Sequence, residues 1–584
     1  MKLDLKILDS SVKHIKGKEE DLISLENKEF EVLKEEDFAF QILIKGDSPF
    51  FCTLEKSNDI HWMGLNERIR IDIDGLPKEY KMFNMNFLGY VLNDDNSIVA
   101  DPILNNKSLY VEDGYQGIWV SGKVNKEFLD EEINLKVKFY YTKEYEKEKL
   151  IKEENIKIKV IDYVVKPISE GEFYLDLWQH LSNLARTYEV EYFSDKHFEI
   201  IDNYIKELST LGQKVINLII SDYPWAGQRC YEVEENPSNL YEYNIIKVTK
   251  DNLGNIKCDF NALDRYVDLC MKYKIDKEID IFGIIGNWDA YSFGNPIKDY
   301  HDPIRVSYYD EKEECYNYFN TKEELKEYFN IVFNHLIEKG LWDKVRIISD
   351  EPNNPELFKE SVRLIESSIE GHKVNFKCAI HDQHFFDSYG ENIKDLSLNT
   401  CEAINNKEKL SKIKEEVNSR GGKFTWYSCC FPEDLNIFIK SSLIESRLKG
   451  WFTYYLDFDG FLRWAYAIWP SNPFNDIRYK YPKWNAGDMF FVYPGKDLKP
   501  IRSIRWENFK FGIQDFNIFK DIEKMGISKE EILREMESLL GRKEEMEFIK
   551  ERSVKLNYSK DYERYINLRN TLIKKIKIDS QKLK

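Results

Sequence analysis

The sequence predicts an N-terminal antiparallel β-sandwich, then a (β/α)8 barrel, then a helical C-terminal extension. Three observations support this multidomain α/β plus all-β class. The chain has 584 residues, too many for one hydrophobic core. Its first part alternates apolar and polar residues with period two, while its middle part alternates apolar strands with amphipathic helices. Its end is charged and helical. We therefore expect domains at residues 1–166, 167–525 and 526–584.

The sandwich is predicted from short segments rich in β-branched and aromatic residues, separated by clusters such as "NDDNS". Many short strands at such spacing favour two packed antiparallel sheets. Pro167 marks the expected boundary with the next domain. The clearest strand segments are "FAFQILIKG", "RIRIDIDGL", "GIWVSGKV", "INLKVKFYYT" and "IKIKVIDYVV".

The barrel is predicted from apolar strands that alternate with helices, a pattern typical of a parallel sheet. Eight repeats fit a (β/α)8 barrel, and an open doubly wound sheet is the alternative. No GxGxxG or GxxxxGK[ST] motif follows a strand, which disfavours a nucleotide-binding version. The expected strands are 172–180, 215–225, 279–288, 345–351, 375–382, 396–400, 423–429 and 450–460. The expected helices are 195–212, 260–273, 322–340, 355–369, 408–422 and 433–450.

Composition excludes some partners. The formal net charge of -18 argues against nucleic acid or an anionic membrane as the main partner. No window is apolar enough for a membrane helix, and the N-terminus lacks the apolar core of a secretion signal. The nine cysteines are scattered, and none forms a CxxC pair. We therefore expect reduced thiols in a cytoplasmic protein.

Polar and aromatic residues gather where the predicted barrel strands end, which is where barrel enzymes carry their chemistry. Indole faces stack on the C–H faces of a sugar ring, and short polar side chains bind its hydroxyls. The pattern therefore predicts a carbohydrate pocket. Its candidate residues are Trp178, His180, Tyr223, Trp225, Asn287, Trp288, His381, Asn399, Trp426, Tyr427, Trp464 and Trp469.

The most informative strand end is "VRIISDEPNN", residues 345–354, where Asp350 and Glu351 follow an apolar run. Asn354 can cap the next helix, with Pro355 at its first position. Adjacent residues on a strand point to opposite faces. Both carboxylates therefore reach one ligand only if the chain bends between Ser349 and Pro352.

Most glycosidases place two carboxyl groups on opposite sides of the scissile bond, which adjacent residues do poorly. Adjacency fits a substrate-assisted scheme better, in which the 2-acetamido oxygen of the sugar attacks its own anomeric carbon. Asp350 would then polarise the acetamido N–H, and Glu351 would act as general acid and base. Repulsion from Asp350 would favour the protonated form of Glu351. A retaining hydrolase with Asp222 or Asp289 as a distant nucleophile stays open.

We interpret the other potentially reactive residues, which are histidines, cysteines and charged residues, as structural. "HDQH" at 381–384 has two histidines three apart, but no ligand cluster completes a metal site. The cysteines near strand ends lack a His-Asn partner, so we interpret them as small buried residues. We also expect ionic scaffolding, rather than sugar binding, from Arg463, Asp488, Arg505 and Glu507.

Five further segments stand out together: "LDLWQH", "ISDEP", "GFLRWAYAIW", "WNAGDMFFVYPG" and "SIRWENFKFGIQD". In this combination they resemble glycoside hydrolase family 123, over about residues 166 to 525. The resemblance implies a β-N-acetylgalactosaminidase that retains configuration by substrate assistance, with Asp350 as the acetamido-polarising residue and Glu351 as the general acid/base. It also matches the order of sandwich and barrel.

The expected function is therefore exo-acting release of terminal β-linked N-acetylgalactosamine from glycans such as glycosphingolipid-type oligosaccharides. We expect no metal or other cofactor, and no nucleic-acid or membrane partner. Two alternatives stay open: a β-N-acetylglucosaminidase or broader hexosaminidase, and a sugar-binding barrel without activity.

Overall fold

The computed structural model describes most of the chain. The described residues are 1–55, 67–75, 82–144, 146–224, 239–285, 304–352, 354–381, 385, 387, 393–479, 484–550 and 552–582. Among them, no helix combines the length and the apolarity that a membrane-spanning segment needs. The eight cysteines among them form no disulfide.

The N-terminal part consists of eleven strands in two sheets. They are β1 (Leu3–Asp9), β2 (Glu29–Lys34), β3 (Asp37–Gly46), β4 (Phe50–Thr53), β5 (Glu67–Asp74), β6 (Phe83–Leu92), β7 (Ile98–Ile103), β8 (Ser108–Val111), β9 (Gln116–Lys123), β10 (Glu132–Lys143) and β11 (Lys149–Val164).

One sheet has the order β1-β3-β9-β6-β7 and the other β2-β11-β10-β5-β4-β8. Pairing is antiparallel except between β11 and β2 and between β4 and β5. One apolar core joins the sheets, with Phe40 and Ile42 of the first beside Ile71 and Val137 of the second. The five strands predicted most clearly are confirmed. Strand β10 alternates buried and exposed residues, whereas the middle of β3 is buried on both faces.

The remaining strands follow in chain order. They are β12 (Tyr174–Leu177), β13 (Val215–Ile219), β14 (Tyr223–Pro224), β15 (Tyr241–Glu242), β16 (Lys247–Lys250), β17 (Ile256–Asp259), β18 (Glu278–Phe282), β19 (Ser307–Asp310), β20 (Cys315–Tyr318), β21 (Val345–Asp350), β22 (Phe376–Ile380), β23 (Ile393–Asn399), β24 (Phe424–Tyr427), β25 (Gly460–Arg463), β26 (Val492–Pro494), β27 (Pro500–Arg502), β28 (Glu547–Lys550) and β29 (Ser553–Lys555).

The described helices are α1 (Leu181–Thr187), α2 (Asp195–Ser209), α3 (Asn261–Lys272), α4 (Lys322–Glu338), α5 (Pro355–Glu366), α6 (Thr400–Asn405), α7 (Leu410–Ser419), α8 (Leu443–Tyr455), α9 (Ile504–Lys524), α10 (Lys529–Leu540) and α11 (Tyr562–Lys582). Short 3-10 turns lie at Glu19–Asp21, Ile168–Glu170, Trp342–Lys344 and Lys543–Glu545.

Eight parallel strands form a nearly closed barrel, in the order β12-β25-β24-β23-β22-β21-β18-β13. The two end strands approach each other at a parallel bridge between Leu175 and Gln213. Successive barrel strands are therefore neighbours around the whole circle. Every residue of β13 and β18 is buried, as expected for strands that are covered on both faces. The first seven predicted strands are confirmed, including the short sixth, β23.

The eighth predicted strand, 450–460, is wrong. Residues 450–455 are the last turns of the buried helix α8, and the eighth strand is β25. Helix α8 packs on α9 so closely that a Cβ on Gly450 would lie 1.8 Å from the carbonyl oxygen of Gly512. A helix buried on all sides has no polar face, so its sequence cannot be told from a buried strand by periodicity.

The C-terminal region is not the solvated appendage that its charge suggested. Arg569, in α11, is fully buried and donates to Glu36 at 2.6 Å and to Asp515 at 2.8 Å. Helix α10 buries Ile532 and Met536 in the main core. The hairpin of β28 and β29 also interrupts the predicted helical run. The region therefore packs against both the sandwich and the barrel.

Candidate active site

A cavity of about 230 Å³ opens at the C-terminal ends of the barrel strands. Pockets for drug-sized ligands measure ~300–1,000 Å³, so this volume suits a single sugar unit. The lining residues are Trp178, Asp350, Glu351, Ala379, Tyr427, Cys429, Cys430, Phe431, Leu462, Trp464, Trp484, Asp488 and Arg552.

Strand β21 bends where it enters the cavity. It ends at Asp350, and Glu351 has a φ of 49°, in the left-handed region that residues other than glycine rarely adopt. The N–H of Glu351 still donates to the carbonyl oxygen of Ala379 at 2.8 Å, so the turn stays attached to the sheet. Both carboxylates line the same cavity. The expected bend between Ser349 and Pro352 is confirmed.

The following helix holds this turn in place. The side chain of Asn354 accepts hydrogen bonds from the N–H groups of Glu356 and Leu357, each at 3.2 Å, and Pro355 begins α5. Such a cap stabilises a helix by about 1 kcal/mol. The sequence therefore ends the strand and starts the helix within a few residues, and the carboxylates lie between them.

Glu351 is held by two neighbouring strands. The hydroxyl of Tyr427, at the end of β24, donates to Glu351 Oε1 at 2.6 Å. His381 Nδ1, just past the end of β22, lies 3.5 Å from Glu351 Oε2. Burial and the Glu351 charge raise the pKa of Tyr427 well above its usual range, so the phenol keeps its proton as a donor.

Asp350 lies in a more desolvated position. Burial and then the charge of Glu351 raise the pKa of the Asp350 carboxyl well above its usual range. Both influences favour the neutral form of Asp350.

Aromatic rings form much of the cavity wall. Trp178 follows β12, and Trp464 follows β25 with its ring edge-on to Trp484, at 4.9 Å between centroids. His180 lies behind this wall, and its Nε2 donates to the carbonyl oxygen of Trp464 at 2.8 Å. Burial lowers the pKa of His180 to about 4, so the imidazole stays neutral and has a structural role, holding the backbone at Trp464.

Four candidate sugar-binding residues lie away from the cavity. Trp426 precedes Tyr427 on β24, so it points to the opposite face and donates to Thr453 Oγ1 at 2.8 Å. Asn399 caps α6 by accepting from the N–H of Cys401 at 2.9 Å. Trp469 donates to the carbonyl oxygen of Val492 at 2.7 Å, and Tyr223 is buried in β14.

Three further candidates, Trp225, Asn287 and Trp288, lie outside the described residues, as do Asp289, Asp382 and His384. Asp222, the other candidate for a distant nucleophile, is buried and does not line the described cavity. Its carboxylate accepts from the N–H groups of Ser307 at 2.9 Å and Asn244 at 3.3 Å. Asp222 therefore ties loops together.

Of the four residues expected to form ionic scaffolding, one also lines the cavity. Arg505 pairs with Asp101 at 2.9 Å, and Arg502 pairs with Glu507 at 3.1 Å, both away from the cavity. Arg463 pairs with Asp488 at 2.8 Å, and Asp488 also lines the cavity.

Sequence reasoning did not assign several lining residues to the pocket. Phe431, Trp484 and Asp488 lie in irregular segments, where no periodicity indicates the direction of a side chain. Arg552 comes from the C-terminal hairpin, and its guanidinium lies 5.0 Å from the ring centroid of Phe431. The cysteines 429 and 430 line the cavity rather than the core, with their sulfurs 4.0 Å apart.

A second group of carboxylates lies inside the barrel, beneath the cavity. Asp176, Glu278 and Asp280 come close enough together to hold a cation. Lys377 fills that position: its Nζ donates to them at 2.6, 2.6 and 2.9 Å. The group is therefore an internal ion cluster that supplies its own cation.

Comparisons with known proteins agree with this architecture. A family model, the glycoside hydrolase 123 catalytic domain, matches residues 178–522. A solved family 123 glycoside hydrolase from Clostridium perfringens, described for glycolipid glycan hydrolysis, has 20% sequence identity and a TM-score of 0.76. That alignment covers 100% of this chain and 99% of the other chain.

Two further solved structures are too dissimilar to inform the fold. AvmM, which catalyses macrocyclization in alchivemycin A biosynthesis, has 9% identity and a TM-score of 0.15, covering 27% of this chain and 92% of its own. A β-D-glucuronidase from Dictyoglomus thermophilum has 9% identity and a TM-score of 0.22, covering 74% of this chain and 56% of its own. No curated protein matches significantly.

Proposed function

Because the chain belongs to glycoside hydrolase family 123, we propose that it releases terminal β-linked N-acetylgalactosamine by substrate-assisted, retaining hydrolysis. The observation that carries this proposal is the Asp350-Glu351 pair. The left-handed turn brings two adjacent carboxylates into one cavity of single-sugar size. Neighbours on one chain segment reach the same face of a sugar more easily than opposite sides of a glycosidic bond.

In the proposed first step, the acetamido oxygen of the sugar forms a bond to C1 while the bond from C1 to the leaving oxygen breaks. Glu351 donates a proton to that oxygen, and Asp350 accepts a hydrogen bond from the acetamido N–H. In the second step, a water molecule attacks C1 while the bond from C1 to the acetamido oxygen breaks, which restores the acetamido group, and Glu351 removes a proton from that water. Two inversions at C1 give retention, and the substrate itself supplies the nucleophile.

The proposed roles use Asp350 as a charged acceptor. An acetamido N–H that donates to Asp350 stabilises its ionised form. Tyr427 keeps its hydrogen bond to Glu351 Oε1 and thereby orients that side chain in the cavity.

The substrate class is an N-acetylhexosaminide at the end of a glycan, and we propose glycosphingolipid-type oligosaccharides as its source. The description of the Clostridium perfringens relative as acting on glycolipid glycans supports this choice. The aromatic wall of Trp178, Trp464 and Trp484 offers indole rings for stacking on one sugar.

The test compares aryl β-N-acetylgalactosaminides with good and poor leaving groups. Glu351→Gln should slow hydrolysis of poor leaving groups by ~10²–10⁴-fold, and activated ones much less, because only the former need the acid. A thiazoline mimic of the cyclised intermediate should inhibit tightly. Near-normal turnover in Glu351→Gln, or no inhibition by the thiazoline, would contradict the mechanism.

The same assay decides the sugar. Aryl β-N-acetylglucosaminide differs from the galactosaminide only in the orientation of the C4 hydroxyl. Preference for the glucosaminide would identify a β-N-acetylglucosaminidase, and turnover of neither would favour a barrel that binds sugar without cleaving it.

A further inference from the structure

Asp488 lies at the edge of the cavity in a well-anchored loop. It follows Gly487, which has a φ of 84°, and the N–H of Ala486 donates to Asp94 Oδ2 of the sandwich at 2.8 Å. The side chain of Asp488 is fully buried, and it lines the cavity with Asp350 and Glu351. Its position is therefore set by the fold rather than by solvent.

One of its two carboxylate oxygens lacks a hydrogen bond. Oδ1 accepts from Arg463 Nη2 at 2.8 Å, whereas Oδ2 is buried without a hydrogen-bond partner. Of the described residues that line the cavity, Asp488 alone has such a side-chain oxygen. Burial raises the pKa of Asp488 to about 6, against the charge of Arg463 and the nearby indole of Trp464.

The Arg463 guanidinium has other acceptors besides the Asp488 carboxylate. It also donates to the backbone carbonyl of Asp488 at 3.1 and 3.2 Å. Its Nη1 is bonded to the carbonyl oxygen of Ser428 at 3.1 Å and to Asn436 Oδ1 at 3.0 Å. A purely structural carboxylate at this position would be free to turn both oxygens toward arginine.

Two other buried carboxylates of this protein do so. Asp101 accepts from Arg505 through Oδ1 at 2.9 Å and through Oδ2 at 3.0 Å, and Oδ2 also accepts from Tyr493 at 2.6 Å. Both oxygens of Asp515 accept from Arg447, at 2.6 and 3.0 Å. Asp101 and Asp515 are thus satisfied on both sides, whereas Asp176 and Asp280 of the interior cluster, like Asp488, each have one oxygen without a hydrogen-bond partner. Asp488 differs from those two because it lines a cavity that can hold a ligand.

A buried acceptor without a partner costs about 1–3 kcal/mol, so its retention in a cavity points to a ligand that donates to it. We propose that Asp488 Oδ2 accepts a hydrogen bond from a ring hydroxyl of the bound sugar and thereby determines which sugar is accepted. This inference rests on the proposed function. Asp350 and Glu351 are committed there to the acetamido group and the leaving oxygen, so a hydroxyl is the donor that remains.

The test uses aryl β-N-acetylgalactosaminide and its 3-, 4- and 6-deoxy analogues. For the unmodified protein, removal of one hydroxyl should lower kcat/KM by ~10–100-fold, the usual value of a hydrogen bond to a charged group. Asp488→Asn should lower kcat/KM on the parent substrate by a similar factor, and it should show no further loss with that same analogue.

Asp101→Asn is the matched control, since it also removes one charge from a buried Asp-Arg pair but lies outside the cavity. It should leave the ratio between parent and deoxy substrates unchanged. If Asp488→Asn fails to fold, Arg463→Gln combined with Asp488→Asn removes both buried charges and takes its place.

The outcomes separate the two proposals. If the unmodified protein hydrolyses the parent but loses less than ~10-fold with every analogue, the assignment of Asp488 is wrong. The assignment is also wrong if Asp488→Asn keeps the original deoxy penalty. Absence of hydrolysis of any aryl N-acetylhexosaminide by the unmodified protein would overturn the proposed function, and this inference with it.

Discussion

The barrel holds two groups of carboxylates that differ in the partners the protein supplies to them. Inside the barrel, Lys377 donates to all three acids, and Tyr174 donates to Glu278 at 2.7 Å. At the cavity, the described contacts of Glu351 include a tyrosine hydroxyl and a histidine ring. The interior group is neutralised by the protein, whereas the cavity pair keeps acceptor capacity for a substrate.

The pKa directions express this difference. Although burial opposes it, the charge of Lys377 lowers the pKa of Glu278 to about 2. Asp280 shows the reverse: burial raises its pKa well above the usual range, despite Lys377 and with help from the two neighbouring acids. Asp350 has no such cation among its influences, and burial and Glu351 both raise its pKa.

The largest expected effect is on the interior group. Lys377→Met should lower the free energy of unfolding by about 3–5 kcal/mol, because it leaves buried carboxylate charge without its cation. Asp280→Asn is the matched control and should cost far less, since burial and the neighbouring acids already favour the neutral form of Asp280. Thermal unfolding measures the stability of both variants. Equal losses of stability would contradict the expectation that removing the lysine is the more damaging change.

At the cavity, we expect one substitution, Asp350→Asn, to lower activity while it raises stability. Asp350→Asn should lower kcat by ~10²–10³-fold on good and poor leaving groups alike, because the acetamido N–H loses its charged acceptor in the transition state. A variant that keeps more than a tenth of the activity would remove Asp350 from the mechanism.

The same variant should be more stable than the unmodified protein at neutral pH. The pKa of Asp350 is higher in the folded state than in the unfolded state, so the folded protein retains a proton that the unfolded chain has lost. The stability of the unmodified protein therefore falls as pH rises above the unfolded pKa of ~3.9, and Asp350→Asn escapes this loss. Unfolding midpoints measured from pH 3.5 to 7.5 should diverge in the variant's favour as pH rises.

The smallest expected effect is on Tyr427. Tyr427→Phe should lower kcat by ~10-fold, because Glu351 loses the hydrogen bond that orients it. Tyr466, whose hydroxyl donates to the carbonyl oxygen of Tyr204 at 3.2 Å, provides the control Tyr466→Phe, which should leave kcat unchanged. An unchanged kcat in Tyr427→Phe would show that Tyr427 has a packing role alone.

Regular elements were predictable because their patterns are local. Alternation identified strands such as β3 and β10, and helical periodicity identified α2 and α4. Strand β21 and its carboxylates were recognised for the same reason: an apolar run, two acids and a helix cap lie within one short segment. Periodicity failed at α8, where burial on every side erased the polar face.

The cavity wall was less predictable, because side-chain direction depends on neighbours distant in sequence. Trp426 and Tyr427 are adjacent and both aromatic, yet only Tyr427 lines the cavity. Arg552 reaches the cavity from a hairpin far along the chain, beyond the matched catalytic domain. A single sequence carries no signal for either placement.

By itself, the sequence determined the order of sandwich and barrel, the carboxylate pair at a strand end and the cap that follows it, because each depends on residues close together in the chain. Only the tertiary structure decided that Glu351 turns into the cavity, that Lys377 fills the acidic interior and that Asp488 keeps one oxygen free. These features arise from packing between distant segments, where burial and charge act across space rather than along the chain.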